Sequence, residues 1–225
     1  MNIFSIDTSS PTASVALFQT DGVQIREELP GRDRLSAELL PAVERLLKKQ
    51  GLTLRHIDLF AAVTGPGFFT GIRIGLTLLK GFCFRESVPL VGVNGLETLA
   101  HTCSSREEMI VALIDARRAE VYRGVYRGSG EGLWEVSAPS LVHHQRIFSG
   151  LDFSAGSGVL VGSGATAYRD QILGVDPRIR LLPGPGTLAL EAAKLALKKF
   201  RQGCYLRDAG DLLPLYIRPS DAETG

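Results

Sequence analysis

The sequence predicts an α/β protein of two lobes, each a three-stranded meander followed by crossover helices. Three observations point there. Strand-like and helix-like segments follow the order β-β-β-α-β-α once before residue 104 and again after residue 108. An Ile-Asp pair, Ile6-Asp7 and then Ile114-Asp115, closes the first strand of each half. The 225 residues, 44% hydrophobic and 22% charged, suffice for one large or two small cores and exclude a disordered or fibrous chain. A duplicated meander with crossovers implies two lobes facing across a cleft, with expected domains 1–106 and 107–225 and a seam at 104–108.

Along the chain, residues 3–6, 13–18 and 23–29 read as short strands separated by Thr8-Ser9-Ser10-Pro11 and by the Asp21-Gly22 turn. Leu35, Leu39, Leu40, Val43, Leu46 and Leu47 then recur at helical spacing up to Gly51. Pro41 inside this helix predicts a bend or restart, because proline removes a helical hydrogen bond and clashes one turn back. A strand at 59–63, a helix at 70–85, a strand at 90–93 and a short helix at 96–102 complete the first half. The second half reads as strands at 109–114, 120–126 and 133–137, a helix around 141–148, a strand at 159–161 and helices at 165–173 and 188–200. The last of these follows Pro183-Gly184-Pro185-Gly186 and ends in Lys198, Lys199 and Arg201, which suit a helix C-terminus.

Composition narrows the function classes. Twenty-five basic against 24 acidic residues leave a net charge of +1, so nothing in the overall balance advertises a nucleic acid or an anionic membrane as a direct partner. Cys83, Cys103 and Cys204 form no CxxC pair, which argues against a disulfide framework or zinc knuckle and for a reducing, cytoplasmic setting. The N-terminus lacks a secretory pattern and no apolar run reaches the ~18 residues of a membrane span, so a non-secreted chain is expected. His56, His101, His143 and His144 show no metal-binding spacing, and the adjacent His143 and His144 are expected to point different ways. No GxSxG marks a nucleophile. Neither a catalytic residue nor a metal site is assigned.

Asp7 and Asp115 are the first candidates for chemistry, since carboxylates ending two first strands could hold Mg²⁺ and a nucleotide phosphate. Each also reads as a turn cap, Asp7 near Thr8 and Ser9 and Asp115 near Arg117, and that is the commoner use. The Thr8 loop offers no glycine to a phosphate. Gly162-Ser163-Gly164 follows a strand and opens a helix, where a phosphate could rest on backbone N–H groups or where strand and helix pack tightly. Arg117, Arg118, Arg123 and Arg127, interleaved with Tyr122 and Tyr126, read as a solvated edge strand guarded by arginines rather than an RNA contact.

The most informative block is Gly65-Pro66-Gly67-Phe68-Phe69-Thr70-Gly71-Ile72-Arg73-Ile74-Gly75, a loop with two aromatics leading into a helix that Thr70 can cap. That helix is apolar nearly all round, so it is buried inside its own domain or against another subunit. Gly71 and Gly75 leave a strip where another backbone can approach.

This block, with Ile3-Phe4-Ser5-Ile6-Asp7-Thr8-Ser9, Val91-Gly92-Val93-Asn94-Gly95-Leu96, Ile114-Asp115-Ala116-Arg117-Arg118 and the ending Pro214-Leu215-Tyr216-Ile217-Arg218-Pro219, resembles the TsaB (YeaZ) family over nearly the whole chain. The resemblance implies an actin-like (ASKHA, ribonuclease H-like) duplicated two-lobe fold. It implies a role in threonylcarbamoyladenosine formation beside the tRNA anticodon, as a non-catalytic subunit that dimerises with the catalytic paralogue TsaD. TsaE, an ATPase, joins the pair, so ATP and Mg belong to the complex, and tRNA is reached through it. The helices at 35–47 and 70–85 are the implied dimer surface, which puts Leu39, Val43, Leu46, Ile72, Gly75, Leu76, Leu79 and Cys83 at a partner interface and makes a homodimer through the same face conceivable without TsaD. Asp33-Arg34-Leu35-Ser36 keeps only the serine of a common His-Ser pair, and Phe68 replaces a small residue. The competing expectation is an autonomous actin-like ATPase or kinase holding Mg-ATP with Asp7, Thr8, Asp115, Gly162 and Gly164; a metallopeptidase lacks its histidine pair.

Overall fold

Alternation of side chains along β1 (Asn2–Asp7) organises the first sheet. The computed structural model describes every residue except 30, 104–108, 130–131, 154–156 and 219–225, so the seam expected at 104–108 lies outside the described residues. β1 pairs antiparallel with β2 (Ser14–Gln19), which pairs antiparallel with β3 (Gln24–Glu28). On its other side β1 runs parallel to β4 (Leu59–Val63), and β4 to β5 (Leu90–Val93). Phe4, Ile6, Val15, Leu17, Phe60 and Ala62 face one way and pack under α1 (Leu35–Lys48) and α2 (Phe69–Glu86). The opposite face carries α6 (Ala189–Arg201), whose Ala189 carbonyl accepts a 2.6 Å hydrogen bond from Ser5 Oγ.

The second sheet repeats the plan in the order β10-β9-β6-β7-β8. β6 (Met109–Arg117), β7 (Glu120–Ser129) and β8 (Gly132–His143) form the antiparallel meander, while β9 (Gly158–Val161) and β10 (Ile179–Leu182) lie parallel beside β6. Its helices are α3 (Gly95–His101), α4 (Ser163–Ala167) and α5 (Arg169–Ile172). The described helices include none long and apolar enough to cross a membrane.

Several expectations are corrected. Met1–Gly95 with Thr187–Tyr216 forms one compact unit, and Leu96–Gly186 with the chain from Ile217 forms the other, in place of 1–106 and 107–225. The C-terminal helix belongs to the first unit because its first turn bonds to Ser5 and Ser14 on the first sheet. The helix expected at 141–148 is the end of β8 and a 3₁₀ turn, since Leu141 and Val142 pair with Tyr122 and Val121 in the ladder. Tyr168 splits the helix expected at 165–173 into two short ones, and β10 was not read from the sequence. α1 is continuous through Pro41: burial of Leu39, Ala42, Val43 and Leu46 on the sheet outweighs one lost hydrogen bond. β7 is interior to its sheet, so its arginines guard no edge.

Candidate functional site

The glycine-rich block and the first loop form one assembly within the first unit. β1 delivers Asp7 to its carboxyl end, where the chain turns through Thr8, Ser9 and Ser10. Asp7 Oδ1 accepts hydrogen bonds from Ser9 N (2.9 Å) and Ser9 Oγ (2.6 Å), the expected turn cap. Ser9 O in turn accepts from Phe68 N at 2.8 Å. A methyl on Gly67 would collide with the Ser9 carbonyl, one on Gly71 with the Thr8 carbonyl, and one on Gly75 with Thr8 Oγ1. The backbone that approaches the glycine strip is therefore this chain's own first loop, which corrects Gly75 as a partner contact. α2 begins at Phe69 with Phe68 in the N-cap position and no side-chain capping hydrogen bond, so Thr70 is not the cap.

Asp7 is 0% exposed, and Oδ2 has no hydrogen-bond partner among the described residues. Burial raises its carboxyl above the ordinary carboxylate range, against the lowering pull of the Ser10 and Ser9 hydroxyls and amides. A carboxylate with no open surface, on a loop whose carbonyls press against a helix, does not fit a metal–nucleotide cradle. The raised pKa has a sign that can be tested. A folded-state pKa above the unfolded one contributes stability that is complete below the unfolded value and is lost as pH rises through the folded value. Asp7→Asn cannot ionise, so its stability relative to wild type is expected to climb from about pH 4 upward, by about 1.4 kcal/mol per pH unit until the folded pKa is passed. Urea denaturation across pH 4–8 checks this; a pH-independent difference between the two proteins would contradict it.

The two faces of α2 separate what the sequence left merged. Gly71, Ile72, Gly75, Leu76, Leu79, Phe82 and Cys83 face inward. Ile72, Leu76, Leu79 and Cys83, with Leu39, Val43 and Leu46 of α1, belong to the core cluster of this unit and are not available to a partner. These expected interface residues are core residues because the sheet and α1 claim that side of the helix first. The outward stripe is exposed at Arg73, Thr77, Gly81 and Phe84, the last 88% exposed, and is flanked by Ile74 and Leu78, half-buried along the edge of the core cluster. Leu40 of α1, 44% exposed, is the corresponding outward leucine there. Sequence reasoning missed these, although Ile74, Leu78 and Phe84 are apolar residues on the broad side of the helix away from Ile72, Leu76 and Leu79.

Burial also sorts the thiols. The Cys83 thiol is pushed up to about 12 by desolvation, whereas Cys204 is exposed. An aromatic disulfide reagent at pH 8 is expected to label Cys204 within minutes and to spare Cys83 until urea is added. Rapid labelling of Cys83 in the native chain, read by peptide mass, would show that α2 is not seated as described.

In the second unit Asp115 Oδ1 accepts from Arg117 N at 2.9 Å, again the turn cap, and Asp115 N meets Ser163 Oγ at 3.1 Å. Arg117, Arg118 and Ala119 all have positive φ (61°, 54° and 61°), a tight left-handed connection. A Cβ on Gly162 would strike the Leu113 carbonyl, and one on Gly164 would lie 2.9 Å from Leu113 Cβ, so this pair serves strand–helix packing. Arg123 donates to the carbonyls of Arg146, Ile147 and Ser149 at 3.4, 3.0 and 2.9 Å and is thereby structural, while Tyr122 and Tyr126 are buried. The His143 and His144 rings lie 4.5 Å apart and do not diverge, because the strand ends between them, and His144 stacks on Tyr168 at 4.7 Å. Among the described residues no three His, Cys, Asp or Glu side chains are grouped to hold a metal. Asp7 and Asp115 belong to different units, and the Oδ1 of each caps its own turn, while Asp7 Oδ2 is left without a hydrogen-bond partner among the described residues.

A family model described as TsaD, tRNA N6-adenosine threonylcarbamoyltransferase, matches residues 32–158. The tRNA threonylcarbamoyladenosine biosynthesis protein TsaB of Escherichia coli (strain K12) is 32% identical over 213 residues, covering 90% of this chain and 89% of that protein. The solved structure of YeaZ from Pseudomonas aeruginosa superposes with a TM-score of 0.81 at 28% identity, over 96% of this chain and 99% of that one. An inorganic polyphosphate/ATP-glucomannokinase from Arthrobacter, 9% identical, aligns 89% of this chain with 99% of its own at a TM-score of 0.51 and shares the fold alone. The fold is the actin-like duplicated two-lobe fold.

Proposed function

The chain belongs to the TsaB family of tRNA threonylcarbamoyladenosine biosynthesis proteins, and from that premise we propose that it is the non-catalytic subunit that docks on TsaD through the outward faces of α1 and α2. One observation carries the docking reading: a half-buried to exposed apolar stripe, Ile74, Leu78 and Phe84, ending in a phenylalanine 88% exposed. Gly81 lies on that stripe with nothing within 4 Å of a would-be Cβ, so a partner helix can approach its backbone closely.

The non-catalytic reading rests on the enclosure of Asp7. Its loop is engaged with α2, and the second aspartate caps its own turn. ATP, Mg and TsaE enter at the level of the complex, tRNA is reached through TsaD, and the site of action is the cytoplasm, where tRNA is modified. Without TsaD the same stripe can cover a second copy of this chain.

Sedimentation of the chain with the TsaD of the same organism tests the proposal. A one-to-one complex is expected, with no heat on titrating the isolated chain with millimolar Mg-ATP. Binding of Mg-ATP by the chain alone without any complex would instead favour an autonomous ATPase or kinase.

A further inference from the structure

Residues 206–216 run the length of α2 in the opposite sense. Beside the C-terminal end of the helix, Leu206 exchanges both backbone hydrogen bonds with Leu90, at 3.0 and 2.7 Å. Arg207 and Asp208 wall a hollow of about 640 Å³ with Cys83, Phe84 and Ser87. Further along, Lys80 Nζ donates to Gly210 O at 3.3 Å, and Leu212 packs over Gly92. At the N-terminal end Leu215 N donates to Thr64 O at 2.8 Å, and the Leu215 carbonyl would lie 2.7 Å from a Cβ on Gly65. The Tyr216 ring then stacks on Phe69 with centroids 4.6 Å apart. The Arg73 guanidinium lies beside this pair, 3.9 Å from the centre of the Phe69 ring and 5.7 Å from that of Tyr216, and its Nε donates to Tyr216 Oη at 2.9 Å.

The C-terminal end of this segment meets the first two turns of α2, the part of the helix that lies against the Thr8–Ser9 loop. Toward the Thr8–Ser9 loop the first turns of α2 offer glycines, which allow close approach but contribute no side chain of their own, and the helix start has no side-chain capping hydrogen bond. We infer that residues 206–216 are a strap, with Phe69, Arg73 and Tyr216 as its clasp, and that the clasp holds the first two turns of α2 against the Thr8–Ser9 loop. Arg73 and Tyr216 are then positioning residues: they fix the end of α2 from which the outward stripe starts, and Arg73 belongs to that stripe. The strap stands on geometry alone; only its effect on docking rests on the TsaD reading above.

Hydrogen exchange on the full-length chain tests it through the Phe68 amide, bonded to Ser9 O at 2.8 Å, and the Ile72 amide, bonded to Phe68 O at 2.9 Å. In Tyr216→Ala both are expected to exchange at least about 10-fold faster, while amides of β6 in the second unit keep their protection. Tyr216→Phe, which keeps the stack and loses the hydroxyl, and Arg73→Ala are expected to fall between; they carry the test if Tyr216→Ala does not fold. Faster exchange at Leu215 alone, with Phe68 and Ile72 unchanged, would overturn the inference, since the segment would then lie along α2 without holding it. Tyr216→Ala is also expected to weaken binding to TsaD. If wild type binds no TsaD, the docking reading fails, and the exchange result still decides the strap.

Discussion

Gly71→Ala is expected to destabilise the chain by about 1–3 kcal/mol net of helix propensity, whereas Gly81→Ala on the same helix is expected to stabilise it by about 0.5–1 kcal/mol. The two substitutions share one intrinsic term, the roughly 1 kcal/mol by which alanine exceeds glycine inside a helix. They differ in what the new methyl meets. At Gly81 there is nothing within 4 Å, so propensity stands unopposed. At Gly71 the methyl collides with the Thr8 carbonyl and comes within 2.6 Å of the Phe68 ring. A ring can turn, but a backbone carbonyl on a loop fixed by Asp7 and Ser9 moves only with the loop, so overpacking wins. Urea denaturation of both variants decides the point; equal and stabilising shifts would mean that the first loop does not support α2.

Phe84→Glu and Leu78→Glu are expected to weaken docking on TsaD by at least ~30-fold, the size of a hot-spot loss of about 2 kcal/mol. Phe84 is 88% exposed, so a charge there has little of this chain's own packing to disturb and its stability is expected to stay within about 0.5 kcal/mol of wild type. Leu76 is the internal control. At 5% exposure it belongs to the core cluster, and Leu76→Ala is expected to cost about 2–5 kcal/mol of folding stability. A glutamate at position 76 would report on the fold and not on docking, although the sequence places both leucines on one apolar helix.

That contrast shows where the sequence is legible. Apolar content and length reveal α2 as a helix with no solvated face, but periodicity alone does not say which stripe the sheet takes and which remains outward. Gly71 and Gly75 announce a close approach, and one exists, by the Thr8 carbonyl at Gly71 and by the Thr8 side chain at Gly75. The sequence does not reveal that the approaching backbone is Thr8–Ser9, because strand pairing between β1 and β4, not local spacing, brings the loop and helix together. The duplicated meander is readable since its strands β1, β2 and β6 are short apolar runs, buried along most of their length and bounded by turn residues. β10 is not, because Ile179–Leu182 is short, only partly buried and defined by its parallel pairing with β9. The return of α6 to the first sheet rests on Ser5 and Ser14 hydroxyls across a separation of more than 170 residues, which leaves no local trace. Tyr216 is visible in the sequence as part of a motif, but only the stack on Phe69 gives it a structural reason.

The aspartates teach a related lesson. In the sequence Asp7 and Asp115 follow equivalent apolar runs and invite a shared chemical role, yet Asp7 ends β1 while β6 continues to Arg117, and each carboxylate binds the amide two residues ahead of it, at 2.9 Å in both cases. Local capping chemistry predicts these contacts directly. The enclosure of Asp7 beneath its own loop is the tertiary fact that the sequence does not contain.

Docking on TsaD through the outward stripe of α1 and α2 separates two substitutions on the same helix. The most direct measurement is the affinity of TsaD for wild type, Phe84→Glu and Leu76→Ala, by sedimentation at a temperature where circular dichroism shows all three folded. Phe84→Glu is expected to lose the complex while keeping wild-type stability, and Leu76→Ala to be less stable yet still bind. Undiminished binding by Phe84→Glu and Leu78→Glu would contradict this and move the docking surface off α2.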